Sequence, residues 1–202
     1  MTDSPIRVVK LGGSLLDLPG LRERLRSWLD LQTPAGTVLV VGGGSLADAI
    51  RTADRLHGLS AEAAHWLCIR AMSLNAHLMA ELLPDAVLVQ DIRSIRRACE
   101  QRRLAILDPW PFIHDEEPRL SRSPLPCSWD VTSDSVAARL AALLSACELV
   151  LLKSALPETG MDLLAAARAG YVDSYFRNAA AWLPAVRCFD LRTIGFPSAI
   201  LR

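Results

Sequence analysis

The feature that most constrains the fold is a strand-like run that ends in consecutive glycines, and the chain carries it twice. Residues 8–11 (Val-Val-Lys-Leu) precede Gly12-Gly13-Ser14, and residues 39–41 (Leu-Val-Val) precede Gly42-Gly43-Gly44-Ser45. A helical spacing of apolar residues follows each run, which is typical of a buried parallel strand that feeds a helix. The sequence therefore predicts an α/β protein.

The same glycines suit the binding of an anion. Without a Cβ atom, main-chain N–H groups can approach a phosphate, and the start of the following helix adds a partial positive charge. Lys10, just before the first glycines, adds an ammonium group that can reach the same anion. A tight turn without a ligand explains either loop alone equally well. Neither loop matches the dinucleotide fingerprint or the phosphate-loop pattern.

Composition narrows the class of protein. The chain has 202 residues, of which 51% are hydrophobic, and this is enough for one packed domain over residues 1–202. Lys plus Arg and Asp plus Glu are 22 each, so no basic surplus favours nucleic acid or an anionic membrane as a partner. The long apolar segment 137–152 is interrupted by Arg139 and Glu148, which argues against a membrane span.

The five cysteines are widely spaced and form no Cys-x-x-Cys pair. This pattern favours reduced, mostly buried thiols in a cytoplasmic protein, and it predicts neither a disulfide framework nor a metal site. The first residues leave no room for the apolar stretch of a signal peptide before the first strand.

Strands and helices are predicted to alternate along the chain. The predicted strands are residues 6–11, 37–41, 86–90, 104–107, 149–152 and 186–191, and the predicted helices are residues 21–31, 45–56, 60–83, 92–102, 136–145 and 161–168. Helices on both faces of a mainly parallel sheet give a three-layer sandwich, with binding groups at the carboxyl ends of the strands. Residues 111–126, rich in proline and charge, are predicted to be a surface loop, for which a solvated connector is the commoner role and a lid is the alternative.

Four polar residues have a structural and a functional interpretation. Ser133 and Asp134 open a predicted helix, where a simple helix cap is the common role of such residues. His65 lies on the apolar face of a predicted helix, so a hydrogen-bonded core histidine is as reasonable as a ligand. His57, at a helix end near the second glycine loop, is the better candidate for a ligand.

Taken in order, Lys10-x-Gly12-Gly13-Ser14, the triple glycine and Thr132-Ser133-Asp134-Ser135 at a helix start resemble the amino acid kinase superfamily. Members transfer the γ-phosphoryl group of ATP to a carboxylate or a phosphate on a sandwich of helices around a mainly parallel sheet. Residues 6–152 are most similar to the small archaeal kinases that act on (5-(aminomethyl)furan-3-yl)methyl phosphate. Bacterial relatives of those kinases are associated with tetrahydromethanopterin and methanofuran one-carbon metabolism.

The resemblance implies a role for each matching residue. Lys10 would stabilise the transferring phosphoryl group and Asp134 would orient Lys10, with ATP as substrate and Mg²⁺ bridging its phosphates. The remaining roles are binding roles. Gly12, Gly13 and Ser14 would bind the nucleotide, and Gly42, Gly43, Gly44, His57 and Ser133 would bind the phosphate-bearing acceptor.

The chain departs from the superfamily after the fifth predicted strand. Most members carry a Thr-Asp-Val-Asp-Gly-like sequence there and a long nucleotide-binding region, whereas here Lys153-Ser154 is followed by about fifty residues. We therefore expect residues 1–152 to be the acceptor side and residues 153–202 a reduced nucleotide side, with Lys153 as a second catalytic and nucleotide-binding cation.

Three functions remain open from the sequence. The first is an ATP-dependent kinase of a phosphate monoester in one-carbon cofactor synthesis, and the second is a non-catalytic binding or assembly subunit with the same fold. The third, a kinase of a nucleotide such as UMP, has less support because nothing in the sequence identifies a pocket that reads a base. Either of the first two functions is compatible with a homodimer or with a heteromer that includes a related kinase subunit.

Overall fold

The computed structural model describes residues 5–183 and 186–202. The elements of the first half of the chain are β1 (Ile6–Leu11), α1 (Leu21–Asp30), β2 (Gly36–Val41), α2 (Gly44–His57), α3 (Ala61–Leu82), β3 (Val87–Val89), α4 (Ile92–Glu100) and β4 (Ala105–Leu107). The second half continues with α5 (Pro109–Pro111), a π-helical turn (Phe112–Glu116), α6 (Glu117–Leu120), α7 (Ser133–Leu144), β5 (Glu148–Lys153), α8 (Leu163–Arg168), α9 (Phe176–Ala180), β6 (Val186–Asp190) and β7 (Ser198–Leu201).

The strands form one seven-stranded sheet in the order β3-β4-β2-β1-β5-β6-β7. Every neighbouring pair is parallel except β6 and β7, which are antiparallel. The predicted mainly parallel sheet is therefore confirmed. The sequence analysis missed β7, a four-residue edge strand.

Both faces of the sheet are buried, and the alternation of side chains along β1 shows why. Val8 belongs to a core that includes side chains of α4 and α7, whereas Val9 and Leu11 belong to a second core that includes side chains of α1. Because successive residues of a strand point to opposite faces, a strand covered on both sides needs apolar residues throughout. The predicted three-layer arrangement is confirmed.

The segment from residue 111 to 126 differs from the predicted solvated loop. It contains the π-helical turn and α6, and Phe112 and Ile113 are buried in the core. Glu117 is 1% exposed, lies 3.3 Å from Arg139 Nε and accepts a hydrogen bond from the Leu125 amide. The carboxylate is buried because its partner comes from α7, a long-range contact that local composition cannot reveal.

The five cysteines form no disulfide, and they differ in exposure. All five cysteines are free; Cys99 and Cys188 are buried, but Cys127 and Cys147 are exposed, so the expectation of mostly buried thiols is only partly met. In the part of the chain that the structure describes, no helix is long and apolar enough to cross a membrane.

Candidate active site

The predicted site residues come together because three neighbouring strands are parallel. In the sheet, Leu11 at the end of β1 is level with Val41 on one side and Leu152 on the other. The residues that follow these three positions therefore meet at one edge of the sheet. The chain also changes direction across the sheet at β1, which is where open α/β sheets form their binding crevices.

Two lysines share one carboxylate at this edge. Lys10 Nζ lies 2.8 Å from Asp134 Oδ1, and Lys153 Nζ donates to Asp134 Oδ2 at 2.9 Å. These are the two lysines of the chain, since every other basic side chain apart from histidine is arginine. We call this group the lysine cluster. It brings together the three residues that the sequence analysis assigned to catalysis.

Burial and charge act against each other in the lysine cluster. Lys10 and Asp134 are each 4% exposed. Burial, aided by the neighbouring Lys153, lowers the pKa of Lys10 to about 8 although Asp134 acts to raise it. Burial alone would raise the pKa of Asp134, but the two ammonium groups outweigh it and hold that pKa below its usual range. Two cations on one anion leave a net positive charge, which favours an anionic ligand.

The two glycine loops touch each other. A Cβ atom on Gly13 would lie 2.3 Å from the Gly44 amide nitrogen, and one on Gly42 would lie 2.6 Å from the Gly13 nitrogen. No side chain fits at such distances, so these glycines are needed for contact between the loops as well as for access to a ligand. The nucleotide and acceptor loops of the prediction are thus one continuous surface.

Only some of the predicted amides are free to bind an anion. The Gly12 amide donates to Leu152 O at 2.8 Å and the Gly42 amide donates to Leu11 O at 2.9 Å. These two amides are used by the sheet, which corrects the prediction that every glycine of both loops offers its N–H group. The amides of Gly13, Ser14, Gly43 and Gly44 donate to no group within residues 5–183 and 186–202.

A cavity of about 220 Å³ opens beside the loops. Gly13, Ser14, Gly43, Gly44 and Ser133 line one side, and α2, α3 and residues 128–132 form the rest. Trp129 is its aromatic wall, with the Arg51 guanidinium carbon 5.5 Å from the ring centroid. This places the predicted acceptor residue Ser133 with the glycines assigned to the same role.

The structure favours His65 over His57 as a cavity residue. His57, predicted to bind the acceptor, is exposed at the end of α2 and is not among the residues that line this cavity. His65 lines the cavity and is 3% exposed, and its Nδ1 lies 3.2 Å from Ser128 O. A carbonyl only accepts, so Nδ1 carries the proton and Nε2 is an acceptor in the neutral ring. That Nε2 has no partner among the described residues.

The nucleotide side of the lysine cluster is less closed. Ser14 Oγ donates to Ser154 Oγ at 3.3 Å, and Arg192 donates to the Ser14 carbonyl oxygen at 2.9 Å. Ser154 directly follows Lys153 at the end of β5. The loop after β1 is therefore tied to β5 and to the segment after β6.

Residues 5–155 match the amino acid kinase family. The chain belongs to this family. It is 28% identical over 148 residues to the [5-(aminomethyl)furan-3-yl]methyl phosphate kinase of Methanocaldococcus jannaschii, a match that covers 72% of this chain and 64% of that protein. The chain thus spans less than two thirds of this relative in the match.

Solved structures show the same fold. The UMP kinase of Ureaplasma parvum superposes with a TM-score of 0.70 and 13% identity over 96% of this chain and 92% of that one. The uridylate kinase of Archaeoglobus fulgidus gives 0.62 and 17% over 90% and 89%, and the UMP kinase of Bacillus anthracis gives 0.64 and 12% over 99% and 100%. The likeness extends past residue 155, so the C-terminal tail, residues 156–202, has counterparts in these folds.

The site also contains a residue that the sequence analysis missed. Asn75, 4% exposed on α3, donates to Gly42 O and to Gly43 O, both at 2.8 Å. It thereby ties the second glycine loop to α3. A polar residue within the mainly apolar buried stripe of α3 was the available signal.

Proposed function

We propose that the protein is an ATP-dependent small-molecule kinase that transfers a phosphoryl group to a phosphate monoester. The observation that carries the proposal is the lysine cluster, placed where the loops after β1 and β2 meet the end of β5. Phosphoryl transfer needs little covalent chemistry from a protein, so fixed positive charge and positioned amides supply most of the catalysis. Membership of the amino acid kinase family supports the same reaction.

In this mechanism each lysine compensates negative charge on the phosphoryl group as it moves. Lys10 and Lys153 are held apart and aimed by the two oxygens of Asp134, so no side chain has to reorganise when charge shifts. Asp134 orients the lysines and accepts no proton, since its pKa is held low. Gly13 and Ser14 bind the nucleotide phosphates, and Lys153 also contacts them.

Gly43, Gly44 and Ser133 face the cavity and bind the acceptor phosphate. His65 takes the place that the sequence analysis gave to His57. Burial lowers the pKa of His65, so its ring is neutral in the free site, and a phosphate at Nε2 binds with uptake of a proton because only the imidazolium donates from both nitrogens.

Around the lysine cluster, the residues that the structure describes form no binding site for Mg²⁺, so the ion would be held by the nucleotide phosphates. Among the described residues, no three His, Cys, Asp or Glu side chains are placed to hold a metal ion, and both oxygens of Asp134 are engaged by lysines. Mg²⁺ is commonly bound through substrate phosphates with few protein ligands. We therefore assign the ion to the phosphates of ATP and no residue of this chain as its ligand.

The acceptor is proposed to be a small phosphate monoester similar to aminomethylfuran phosphate, in a cytoplasmic pathway of one-carbon cofactor synthesis. The support is the 28% identity to the kinase of Methanocaldococcus jannaschii, whose name states that acceptor. The cavity contributes an aromatic wall at Trp129 and apolar side chains of α3, which suit a flat ring.

The direct test is ADP release from Mg-ATP in the presence of [5-(aminomethyl)furan-3-yl]methyl phosphate, with UMP as the comparison acceptor. Turnover of the furan ester that is lost in Lys10→Ala and kept in Arg26→Ala supports the proposal, because Arg26 forms an exposed ion pair far from the site. Turnover of UMP alone would keep the kinase and replace the acceptor. No turnover of either ester would contradict the proposal as stated.

A non-catalytic binding or assembly subunit is the second candidate. It is favoured by one observation, namely that the family match ends at residue 155, just after the position where Lys153-Ser154 replaces the sequence common in related kinases. Such a protein need not bind Mg-ATP. Binding of a phosphate monoester without any binding of nucleotide would favour this candidate.

We further propose a homodimer formed through one face of α3. Leu67, Leu74 and Leu78 are 43%, 59% and 47% exposed, and their spacing places them on one stripe of the helix. A second copy of the chain can cover this stripe with the same residues. Light scattering after size exclusion should show a dimer that Leu74→Glu converts to a monomer, with the exposed Leu56→Glu on α2 as the control. A larger complex formed only with a related kinase would show a heteromer instead.

A further inference from the structure

Asp173, in the C-terminal tail, accepts four hydrogen bonds from residues at the start of α7. Its Oδ2 accepts from the Thr132 amide at 2.9 Å, from Thr132 Oγ1 at 2.8 Å and from the Ser135 amide at 3.0 Å. Its Oδ1 accepts from Ser135 Oγ. Asp173 therefore binds the residues on both sides of Ser133 and Asp134.

These contacts replace the usual cap of a helix. Thr132 is the N-terminal cap position of α7, but its side chain accepts no bond from the helix and instead donates to Asp173. The amide of Ser135 is the third of the helix and is the one that a capping side chain normally accepts from. The cap of α7 thus comes from a carboxylate 38 residues further along the chain.

The same stretch of the tail also holds Lys153. The Tyr171 carbonyl oxygen accepts from Lys153 Nζ at 2.7 Å, and the nitrogen lies 5.1 Å from the centroid of the Tyr171 ring. Val172, between the two contacts, is 3% exposed in the core. Tyr171 of the tail therefore contacts Lys153 directly, whereas Asp173 contacts Ser135, the residue that follows Asp134.

We propose that Asp173 is a positioning residue that fixes Asp134 between Lys10 and Lys153 by capping α7 from the tail. Its catalytic meaning rests on the proposed kinase function, but the positioning itself does not require turnover. The role is specific, because losing the cap lets the first turn of α7 move, and Asp134 is the second residue of that turn. The lysines would then lose their shared partner while remaining buried.

The two lysines of the chain make this testable without a substrate. Lysine labelled with ¹³C at Cε should give two side-chain signals, and their pH titration reports the pKa of Lys10 and Lys153 in the full-length protein. Asp173→Asn and Asp173→Ala remove the same charge, but only asparagine can still accept from the Thr132 and Ser135 amides. We expect the lowest lysine pKa in Asp173→Ala, about one unit below that in Asp173→Asn.

Asp162→Ala is the matched control, since Asp162 also caps a helix of the tail but caps α8, away from the lysine cluster. It should leave both lysine titrations as in the wild type. Equal lysine pKa values in Asp173→Asn and Asp173→Ala would mean that only charge matters, and this would overturn the proposal.

Thr132→Val covers the case in which Asp173→Ala does not fold, since it removes one hydroxyl donor and keeps the carboxylate. A lowered lysine pKa in Thr132→Val, which keeps the charge of Asp173, would then support the proposal, and a titration identical to the wild type would overturn it.

Turnover gives a second and separate readout. With [5-(aminomethyl)furan-3-yl]methyl phosphate as acceptor, Asp173→Ala should lower kcat about 100-fold and change the acceptor KM by less than about threefold, because the contacts concern the lysines. An unchanged kcat with shifted lysine titrations would keep the positioning role and remove its catalytic meaning. Absence of turnover in the wild type would count against the proposed kinase function and leave the titrations as the deciding test.

Discussion

Two parts of the chain contribute to the lysine cluster in different ways. One is the part that matches the amino acid kinase family, and the other is the C-terminal tail. Residues 5–155 supply charged side chains from the ends of strands and the start of a helix, namely Lys10, Asp134 and Lys153. The tail supplies the Tyr171 carbonyl and the Asp173 carboxylate, which act on those side chains and on α7. The charged side chains proposed to act in catalysis and the groups that hold them in place thus come from different parts of the sequence.

The largest effect should come from Lys10 and Lys153, which both lie in residues 5–155. Lys10→Ala and Lys153→Ala should each lower kcat by about 10³-fold, because each removes a fixed positive charge from the moving phosphoryl group. Steady-state ADP release measures this, with Arg26→Ala as a control that keeps wild-type turnover. A wild-type kcat in Lys153→Ala would remove Lys153 from catalysis and leave Lys10 as the cation of the cluster that acts in it.

The second largest effect concerns the contact between the glycine loops. Gly13→Ala should lower the free energy of unfolding by about 3 kcal/mol, because its Cβ would meet the Gly44 main chain at 2.3 Å and neither backbone can yield cheaply. Gly170→Ala, in the tail, has open space and a positive φ of 69°, so it should cost about 1 kcal/mol. Chemical denaturation measures the free energy of unfolding of both variants. Equal losses would show that the two glycine loops can move apart to accept the added methyl group.

Local patterns in the sequence were enough to predict the first strands and the main charged side chains of residues 5–155. The strand bounds at β1 and β2 and the pairing of Lys10 with Asp134 follow from apolar runs, glycines and a resemblance carried by short motifs. The tail gave no such signal. The contacts of Asp173 and Tyr171 join positions 18 to 41 residues apart, and a hydrogen bond across that distance leaves no periodicity in the chain.

The prediction for His57 and His65 had the same limit, because it could not include contacts between distant parts of the chain. The choice of His57 rested on its distance along the chain from the glycine loop, but α2 carries it to the exposed end of the helix. Only the packing of α3 against residues 128–132 shows that His65 lines the cavity.

Substitution of Asn75, within residues 5–155, should have a smaller effect on activity and stability. Asn75→Ala should raise the acceptor KM about tenfold and cost about 2 kcal/mol of unfolding free energy, because the Gly42 and Gly43 carbonyls lose a buried donor. Asn178→Ala, exposed on α9, is the control in the tail and should change neither quantity. An unchanged KM in a folded Asn75→Ala protein would show that the loop keeps its shape without that side chain.

The smallest effect is the pH dependence of nucleotide use. The pKa of Lys10 is lowered to about 8 by burial, so its positive charge is present below that pH and is lost as the pH rises through it. The kcat/KM for Mg-ATP, which reports the free enzyme, should therefore be about tenfold lower at pH 9 than at pH 7. Lys10→Arg keeps its charge over this range, so its profile should be flat even if its rate is lower. A wild-type profile that is flat to pH 9 would remove Lys10 from the titrating groups.

The most direct test of the central claim is a calorimetric titration of the wild-type protein and of Lys153→Ala with Mg²⁺ and a non-hydrolysable ATP analogue. The claim is that the lysine cluster, formed by residues 5–155 and held in place by contacts from the tail, binds the nucleotide phosphates. It predicts binding to the wild type with an affinity between micromolar and millimolar, and loss of that binding in Lys153→Ala. No heat and no thermal shift with the wild type at saturating analogue would contradict it.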